Sequence, residues 1–256
     1  NSVRLCHPCV TSDALVRPTG CRRLLWVGRE RKEKTLEGFF DLFETSVKEH
    51  LQFVCSDMWK PYLNVIANRA GHALNILDRY HVTATMNKKV DRVRAEETRQ
   101  MQRDGYEPIL KHSRWCLLKR PENRTKKQTA KMRDLMKYNL RTMRAYLMKE
   151  DFQQFWSYQS PTWAGKFLDG WCTRAMRSQL DPMKEMAGTL RRHRKLLLNW
   201  FVANGELSSG SVEGMNTKAK VALRKSYGFK TDEVYETVLY HELGRLPQHE
   251  LAHQFC

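Results

Sequence analysis

The first third of the chain alternates short apolar runs with longer segments in which apolar residues recur three or four positions apart. The runs have the length of β-strands, and the segments have the pattern of helices that bury one face. The predicted strands are Arg23–Val27, Gln52–Cys55 and Ala73–Leu77, and the predicted helices are Lys34–His50 and Trp59–Ala70. Strands that alternate with helices indicate an α/β arrangement with at least partly parallel pairing.

Helical periodicity dominates the middle of the chain, where strand signals nearly vanish after His81. Pro121, Pro161 and Pro182 mark the expected breaks between these helices, because proline interrupts helical hydrogen bonding. The apolar positions predict helices around Met86, Val90 and Val93 and over Leu135–Met148, Phe152–Trp156, Trp163–Met176 and Met183–Val202.

Two further helices are predicted near the end of the chain, over Ser208–Lys225 and over Asp232–Leu243, the second ending at Gly244. The pattern therefore divides the chain into three parts. Residues 1–83 and 206–256 would form the two halves of an α/β core, and residues 84–205 would form an all-α insertion that interrupts it.

Charge is concentrated in the predicted insertion. The chain carries 45 basic and 28 acidic residues, which gives a net charge of +17. Residues 84–205 alone hold 27 of the basic and 12 of the acidic residues, a net charge of +15. A basic surface concentrated in one segment is what binding to a phosphate backbone requires. Solvated helix faces are also often rich in Lys and Arg, but an excess this large and this local favours a polyanionic partner.

Composition excludes several classes of protein. The hydrophobic fraction of 41% can fill a core, and no apolar run approaches the ~20 residues of a membrane span. The seven cysteines are scattered and odd in number, which favours reduced thiols and a cytoplasmic chain. Cys6 and Cys9 have CxxC spacing without a second ligand pair, which disfavours a zinc knuckle. Since the sequence begins without Met or an apolar leader, we expect no signal peptide and interpret it as a fragment.

Two carboxylates directly follow predicted strands. Asp57 comes after the apolar run that ends near Cys55, and α/β sheets present functional side chains at the carboxyl ends of their strands. Asp57 is therefore a candidate metal ligand, but an N-cap for the helix that starts near Trp59 is an equal alternative. Asp78 occupies the same place after the next strand, with His81 three residues later, and a cap or turn role is favoured there.

A third carboxylate lies on the helix predicted near the end of the chain. The polar residues of this helix recur at spacings of three and four and so share one face: Glu213, Asn216, Lys220 and Arg224. A carboxylate beside amide and cationic groups can bind a metal ion and the phosphate backbone together. The alternative is a glutamate that is merely solvated.

Several short segments also carry a resemblance to a known family. They are GCRRLLWVG at 20–28 followed by KEKTLEGFF, SDMWKPY at 56–62, LDRYHV at 77–82, RWCLLKRPEN at 114–123, SSGSVEGMNTKAK at 208–220 and RKSYGF at 224–229. In this order they resemble the bacterial insertion-sequence transposases of the DDE type. More closely, they resemble the family first described from a Lactobacillus element.

The resemblance implies a ribonuclease H-like core with three acidic residues, interrupted by the helical insertion. It makes Asp57 the second acid and Glu213 the third, both as metal ligands, and it makes Asp78 and His81 an accessory D-x-x-H pair. The mechanism implied is phosphoryl transfer with two magnesium ions, Mg²⁺ being a hard cation that prefers carboxylate oxygens. This chemistry would cut DNA at the ends of the element and join the ends to target DNA.

The resemblance also implies how DNA is held. The basic insertion would bind it mainly through phosphates, which position DNA without reading its sequence. Trp115, next to Arg114, resembles an insertion-domain aromatic that stacks on a base near the cut, although a core position suits so large a ring at least as well. Because a transposase must bring two ends together, we expect a homodimer on DNA, in the cytoplasm and associated with the bacterial nucleoid.

One part of the family's pattern is missing. Its first acid follows an apolar strand upstream of the segment that starts at Gly20, and residues 1–19 do not resemble that strand. Asp13 is the only carboxylate in this stretch; a turn residue is the favoured interpretation, and a replacement for the missing first acid is the alternative. We therefore interpret the sequence as an N-terminally truncated copy, and a non-catalytic DNA-binding remnant is the alternative to an active enzyme. An RNA-binding protein is disfavoured, because no RNA-binding module is recognisable.

Overall fold

The computed structural model describes residues 9–11, 24–203, 217–219, 221–222, 224 and 231–244. These residues are mostly helical, with four short strands. The chain divides into two compact units, the first formed by Asn1–Asp78 and Glu206–Cys256 and the second by Arg79–Gly205. Strands and helices alternate in the first unit, which is compatible with the predicted α/β class.

The strands of the first unit form two pairs. β1 (Cys9–Thr11) runs antiparallel to β2 (Leu24–Val27), and β3 (Phe53–Ser56) runs parallel to β4 (Leu74–Leu77). The three predicted strands are confirmed to within one residue at each end, and so is partly parallel pairing. The pattern does not predict β1, because a strand of three residues is too short to show a period of two.

Three helices accompany these strands in the first unit. They are α1 (Glu33–Asp41), α2 (Thr45–Glu49) and α3 (Lys60–Arg69). The prediction of one helix over Lys34–His50 is wrong, because the chain leaves the helix after α1. There the N–H of Leu42 donates to the carbonyl of Phe39 at 3.2 Å, a bond between residues three apart that tightens the last turn before the break.

One apolar core joins α1 and α3 to β3. Burying a large apolar side chain contributes about 1.5 to 3 kcal/mol, so a cluster of this size supplies much of the stability of the first unit. The core thereby holds the end of β3, and the residue that follows it, in a defined place. Its central side chains are Leu36, Phe39, Phe40, Val54, Tyr62, Val65 and Ile66.

The second unit is helical throughout its described regular structure. Its helices are α4 (Arg79–Arg103), α5 (Arg114–Leu118), α6 (Lys126–Leu135), α7 (Arg141–Gln153), α8 (Pro161–Arg177), α9 (Asp181–Arg192) and α10 (Arg194–Val202), with short 3₁₀ helices at Pro121–Asn123 and Gln154–Ser157. Pro161 and Pro182 lie in the first turns of α8 and α9, as predicted, where the N–H that proline lacks has no helical partner. None of the described helices is long and apolar enough to cross a membrane.

Two of the predicted helices in this unit are wrong in extent. The segment predicted as Leu135–Met148 contains the end of α6 and the start of α7, and the one predicted as Met183–Val202 divides at His193. Side chains on both sides of the first break, Leu135 and Met143, are buried. Because the apolar period continues across the break, the pattern cannot distinguish one helix from two.

Aromatic side chains form the centre of the second unit. The rings of Phe152 and Phe155 stack with their centroids 5.4 Å apart, and Trp171 contacts Phe152 edge-on at 5.0 Å. The indole N–H of Trp171 donates to the carbonyl of Met148 at 3.0 Å. This bond satisfies the polar atom of a buried ring and ties α8 to α7.

The last described helix, α11 (Asp232–Leu243), belongs to the first unit. Its bounds and its end at Gly244 are as predicted. The hydroxyl of Tyr240 accepts the N–H of Val27 at 3.2 Å, which attaches α11 to β2. An apolar cluster joins the two elements to the helical residues before α11, and it consists of Leu24, Val27, Ala219, Leu239 and Leu243.

Candidate metal site and nucleic-acid interface

Two of the candidate acidic residues directly follow the two strands of the parallel pair. Ser56 lies opposite Leu77 in the register, so Asp57 and Asp78 each directly follow a paired residue. The ladder continues one step further, since the N–H of Asp78 donates to the carbonyl of Ser56 at 2.8 Å. Neighbouring strands lie roughly 4.8 Å apart, and opposite residues point to the same face. The fold therefore brings the backbones of Asp57 and Asp78 close together at the end of this strand pair.

Both oxygens of the Asp57 carboxylate have partners. Oδ1 accepts the backbone N–H of Trp59 at 3.0 Å, and Oδ2 pairs with the guanidinium of Arg31. The first bond closes a turn of the kind that Asp favours. The N-cap alternative for Asp57 is wrong, because Trp59 is the N-cap of α3 and Asp57 lies two residues before it. The Asp57 side chain remains 17% exposed, so solvent ions can reach it.

A half-buried cysteine lies close enough to Asp78 to feel its charge. Cys55 lies on β3, two residues before Asp57. Burial, reinforced by the charge of Asp78, raises the pKa of Cys55 to about 12. In the absence of a metal ion, the thiol therefore stays protonated at neutral pH and is a poor nucleophile. The donors at this edge are carboxylate oxygens, which suit a hard cation such as Mg²⁺.

Asp78 and His81 belong to different units. Asp78 is half-buried at the end of β4, and α4 begins at the next residue. His81 is exposed in the first turn of α4, and its ring meets the ring of Tyr80 edge-on at a centroid distance of 5.7 Å. Their role as an accessory pair stays a prediction.

Arg224 is the one residue of the predicted polar helix face that the structure describes. It is exposed, and residues 217–219, 221–222 and 224 are helical, as predicted. Ala219, on the same stretch, is buried against β2 and α11, so this helix is anchored to the first unit. The remaining candidates lie outside the described residues: Asp13, Glu213, Asn216 and Lys220.

The described ranges contain only part of a metal site. Among their His, Cys, Asp and Glu side chains, no three are grouped closely enough to hold a metal ion. Asp57 and Asp78 supply two oxygen donors of the right chemistry. A further acid would have to come from outside these ranges, and Glu213 is the candidate that the resemblance implies.

Trp115 lies at the surface of the second unit. Its side chain is 57% exposed on α5, so the alternative of a core position is wrong. The guanidinium of Arg114 lies 5.5 Å from the centroid of the Trp115 ring, and its Nε pairs with Asp91 at 3.1 Å. Arg114 is thereby oriented by two contacts, and an exposed indole beside a cation is suited to stacking on a nucleic-acid base.

The segment around Trp115 is strongly basic. Residues 111–133 hold nine Lys and Arg side chains and a single acid, Glu122. Six of the nine are exposed. In the described part of the chain, ion pairs occupy two of them, Arg114 and Arg120. Four exposed cations outside these ion pairs are therefore available to neutralise phosphates: Lys111, Lys126, Lys127 and Arg133.

Sequence reasoning missed a buried cation that fixes α5. Lys149 on α7 is 4% exposed; its ammonium donates to the carbonyl of Leu117 on α5 at 2.6 Å and pairs with Glu150 at 2.9 Å. Burial lowers the pKa of Lys149. Since Leu117 and Trp115 share one helix, this bond helps to position the exposed indole. A lysine within a helical pattern normally predicts a solvated side chain, so no signal in the sequence marks it.

Sequence reasoning also missed a second exposed tryptophan beside a cation. The ammonium of Lys166 lies 4.4 Å from the centroid of the Trp163 ring, on α8. The two residues are three positions apart on this helix, a spacing that allows the contact and that could have indicated it.

Comparisons with known proteins identify the family. A family model described as a transposase, of the DDE type and the ISL3 group, matches residues 6–239. The chain is 28% identical over 228 residues to the transposase for insertion sequence element IS1001 of Bordetella parapertussis, covering 88% of this chain and 55% of that protein. It is 27% identical over 233 residues to the transposase for insertion sequence element IS1557 of Mycobacterium tuberculosis, covering 82% and 52%.

The chain thus spans about half the length of the curated relatives it matches. No solved structure gives a significant match. Because the family model covers most of the sequence, including the strands, the second unit and the start of α11, the chain belongs to the DDE transposases of insertion sequences.

Proposed function

We propose that this chain is part of a transposase that cuts and joins DNA at insertion-sequence ends with the help of magnesium ions. The observation that carries the proposal is that Asp57 and Asp78 directly follow β3 and β4, two strands that pair in parallel. Two adjacent carboxylates, one of them partly open to solvent, are the kind of donors that hard divalent cations bind. Membership in the DDE transposases supports the same chemistry.

In this proposal Asp57 and Glu213 hold the metal, with Asp78 and His81 in accessory positions. A divalent cation bound here would stabilise the charge that develops on the phosphate during transfer. The protonated Cys55 thiol adds no negative charge to the site. The exposed Arg224, with Asn216 and Lys220, would hold the phosphate backbone next to the carboxylates, as cationic and amide groups do at nucleic-acid surfaces.

The fold we propose for the first unit is the ribonuclease H-like one, with the second unit as its insertion. Strands that alternate with helices, a parallel pair with an acid directly after each strand, and a final helix attached to β2 support this assignment. The second unit would hold DNA, because residues 111–133 combine many exposed cations with the exposed indole of Trp115. Pairing of two element ends would require a homodimer on DNA.

The test is a cleavage assay on DNA that carries the ends of an insertion sequence, with binding followed in parallel at several salt concentrations. We expect magnesium-dependent nicking by the full chain. Asp57→Asn should abolish nicking while leaving DNA binding nearly unchanged, because Asp57 lies outside the basic segment. Asp41→Asn is the matched control, since Asp41 is an exposed acid of the same unit that pairs with Arg69.

Each outcome of this assay decides a different part of the proposal. Nicking that survives in Asp57→Asn would overturn the site assignment. Salt-sensitive binding without nicking would indicate the alternative function, a remnant that holds DNA and does not cut it. Binding that does not weaken with salt would contradict the role of the basic segment, since phosphate contacts release counterions.

A further inference from the structure

Arg31 occupies one oxygen of the carboxylate proposed to bind metal. Its guanidinium pairs with Oδ2 of Asp57, and its Cζ atom lies 4.7 Å from the centroid of the Trp59 ring. Trp59 in turn donates its backbone N–H to Oδ1 of Asp57 at 3.0 Å. Three residues from two separate segments are therefore interlocked at the end of β3.

This ion pair differs from the surface pairs around it. Arg31 is 38% exposed and Asp57 17% exposed, whereas the nearby Arg29 pairs with Glu236 while itself 53% exposed. A less exposed pair is less screened by water and salt. The ring of Trp59 also restricts the guanidinium, so less conformational freedom is lost when the pair forms. Arg31 is thus held at Asp57 by two contacts at once.

A guanidinium and a divalent cation cannot share this carboxylate without cost. Oδ2, which accepts from Arg31, is also an oxygen that a metal ion would bind, and two positive charges a few ångströms apart repel each other. We propose that Arg31 competes with the divalent cation for Asp57 and thereby sets the cation affinity of this edge. The inference rests on the proposed metal-binding role of Asp57. Arg31 is a positioning residue here: it acts on the metal through Asp57.

The competition has a consequence for the order of events. In the absence of a cation, Arg31 neutralises Asp57 and reduces the repulsion between Asp57 and Asp78. When a cation binds, it supplies that neutralisation instead, and the contact with the Trp59 ring still holds Arg31 close to the edge. The negative charge of Asp57 is therefore balanced by a positive charge both with and without a bound cation.

Binding of Mn²⁺, a probe that replaces Mg²⁺, tests this inference without measuring activity. Isothermal titration of the full chain should give a dissociation constant about two- to fivefold lower for Arg31→Gln than for the wild type, the size expected when one partly exposed ion pair no longer competes. Arg31→Lys keeps the charge and should stay close to the wild type. Arg29→Gln is the matched control, because it removes the same charge two residues away from a pair that does not involve Asp57.

The result that would overturn the competition is an Arg31→Gln chain that binds Mn²⁺ no more tightly than the wild type or the Arg29→Gln chain. Should Arg31→Gln fail to fold, as judged by circular dichroism, Arg31→Ala and Arg31→Met provide the same comparison. Asp57→Asn separates this inference from the proposed function. If Asp57→Asn weakens Mn²⁺ binding but Arg31→Gln has no effect, only the competition is wrong. If Asp57→Asn binds as the wild type does, or no variant binds, the metal-binding role of Asp57 is wrong and the competition with it.

Discussion

A single glutamate caps the helix that leads to the buried lysine of the second unit. The carboxylate of Glu97 on α4 accepts the backbone N–H of Arg141 and that of Thr142, each at 2.8 Å, at the start of α7. Leu140, the N-cap of α7, offers no side-chain acceptor. Glu97 therefore supplies from a distant helix the cap that the sequence before α7 lacks.

The structure allows an estimate of what this cap contributes. A hydrogen bond to a charged group contributes about 1.5 to 3 kcal/mol, and the loss of a helix cap typically costs about 1 kcal/mol. Arg141 is exposed, so water can replace the carboxylate at its N–H, whereas Thr142 is fully buried. We therefore expect Glu97→Ala to lower the free energy of unfolding by about 2 to 3 kcal/mol, with most of the loss from Thr142.

Thermal unfolding followed by circular dichroism measures this effect. For a unit of this size, the expected loss corresponds to a melting temperature lower by roughly 6 to 15 °C. Hydrogen exchange should show faster exchange at the amides of Arg141 and Thr142. Glu96→Ala is the control, because the neighbouring Glu96 forms only an exposed pair with Arg92 and its loss should change little. Equal melting temperatures for Glu97→Ala and Glu96→Ala would refute the capping argument.

Three further predictions follow from the described residues. If one base stacks on the indole, Trp115→Ala should weaken binding to single-stranded DNA about 5- to 100-fold without lowering the melting temperature. Tyr106→Ala is the control: Tyr106 is another exposed aromatic, and its loss should not weaken DNA binding. Burial lowers the pKa of Lys149, so the unfolded chain keeps the proton of this lysine up to a higher pH than the folded chain does. The free energy of unfolding should therefore rise with pH between the lowered pKa and about 10.5. Denaturation curves of Lys149→Met should lack that rise. Burial raises the pKa of Cys55 to about 12, so iodoacetamide at pH 8 should leave this thiol unmodified in the native protein and label it after unfolding. Peptide mass mapping would show the difference. Labelling of the native thiol would contradict its burial.

Local patterns in the sequence were sufficient to predict much of the secondary structure. The apolar runs before Gly28, Asp57 and Asp78 are all strands, and the last helix ends at Gly244 as predicted. These features depend on side chains close together in the chain, where a period of two or of 3.6 is decisive. Breaks inside a continuous apolar stripe, as between α6 and α7, depend on packing and were therefore missed.

The candidate site shows the same division. Its position after a strand is visible in the sequence, and so is the order of motifs that indicates the family. The placement of Asp57 near Asp78 depends on the register of β3 and β4. The residues that face each other across these two strands lie 21 positions apart in the chain. The contact between Arg31 and Asp57 was equally invisible, because Arg31 stands in a run of charged residues that predicts a solvated surface.

The sequence by itself determined where most strands and helices lie, where the positive charge is concentrated and which family the chain belongs to. Only the tertiary structure decided that Trp115 is exposed, that Lys149 is buried beneath α5, and that Asp57 is shared between Trp59 and Arg31. The physical reason is the separation along the chain of the residues that interact. Periodicity and capping act between residues a few positions apart, whereas burial, register and ion pairing are set by partners that folding brings together from distant parts of the chain.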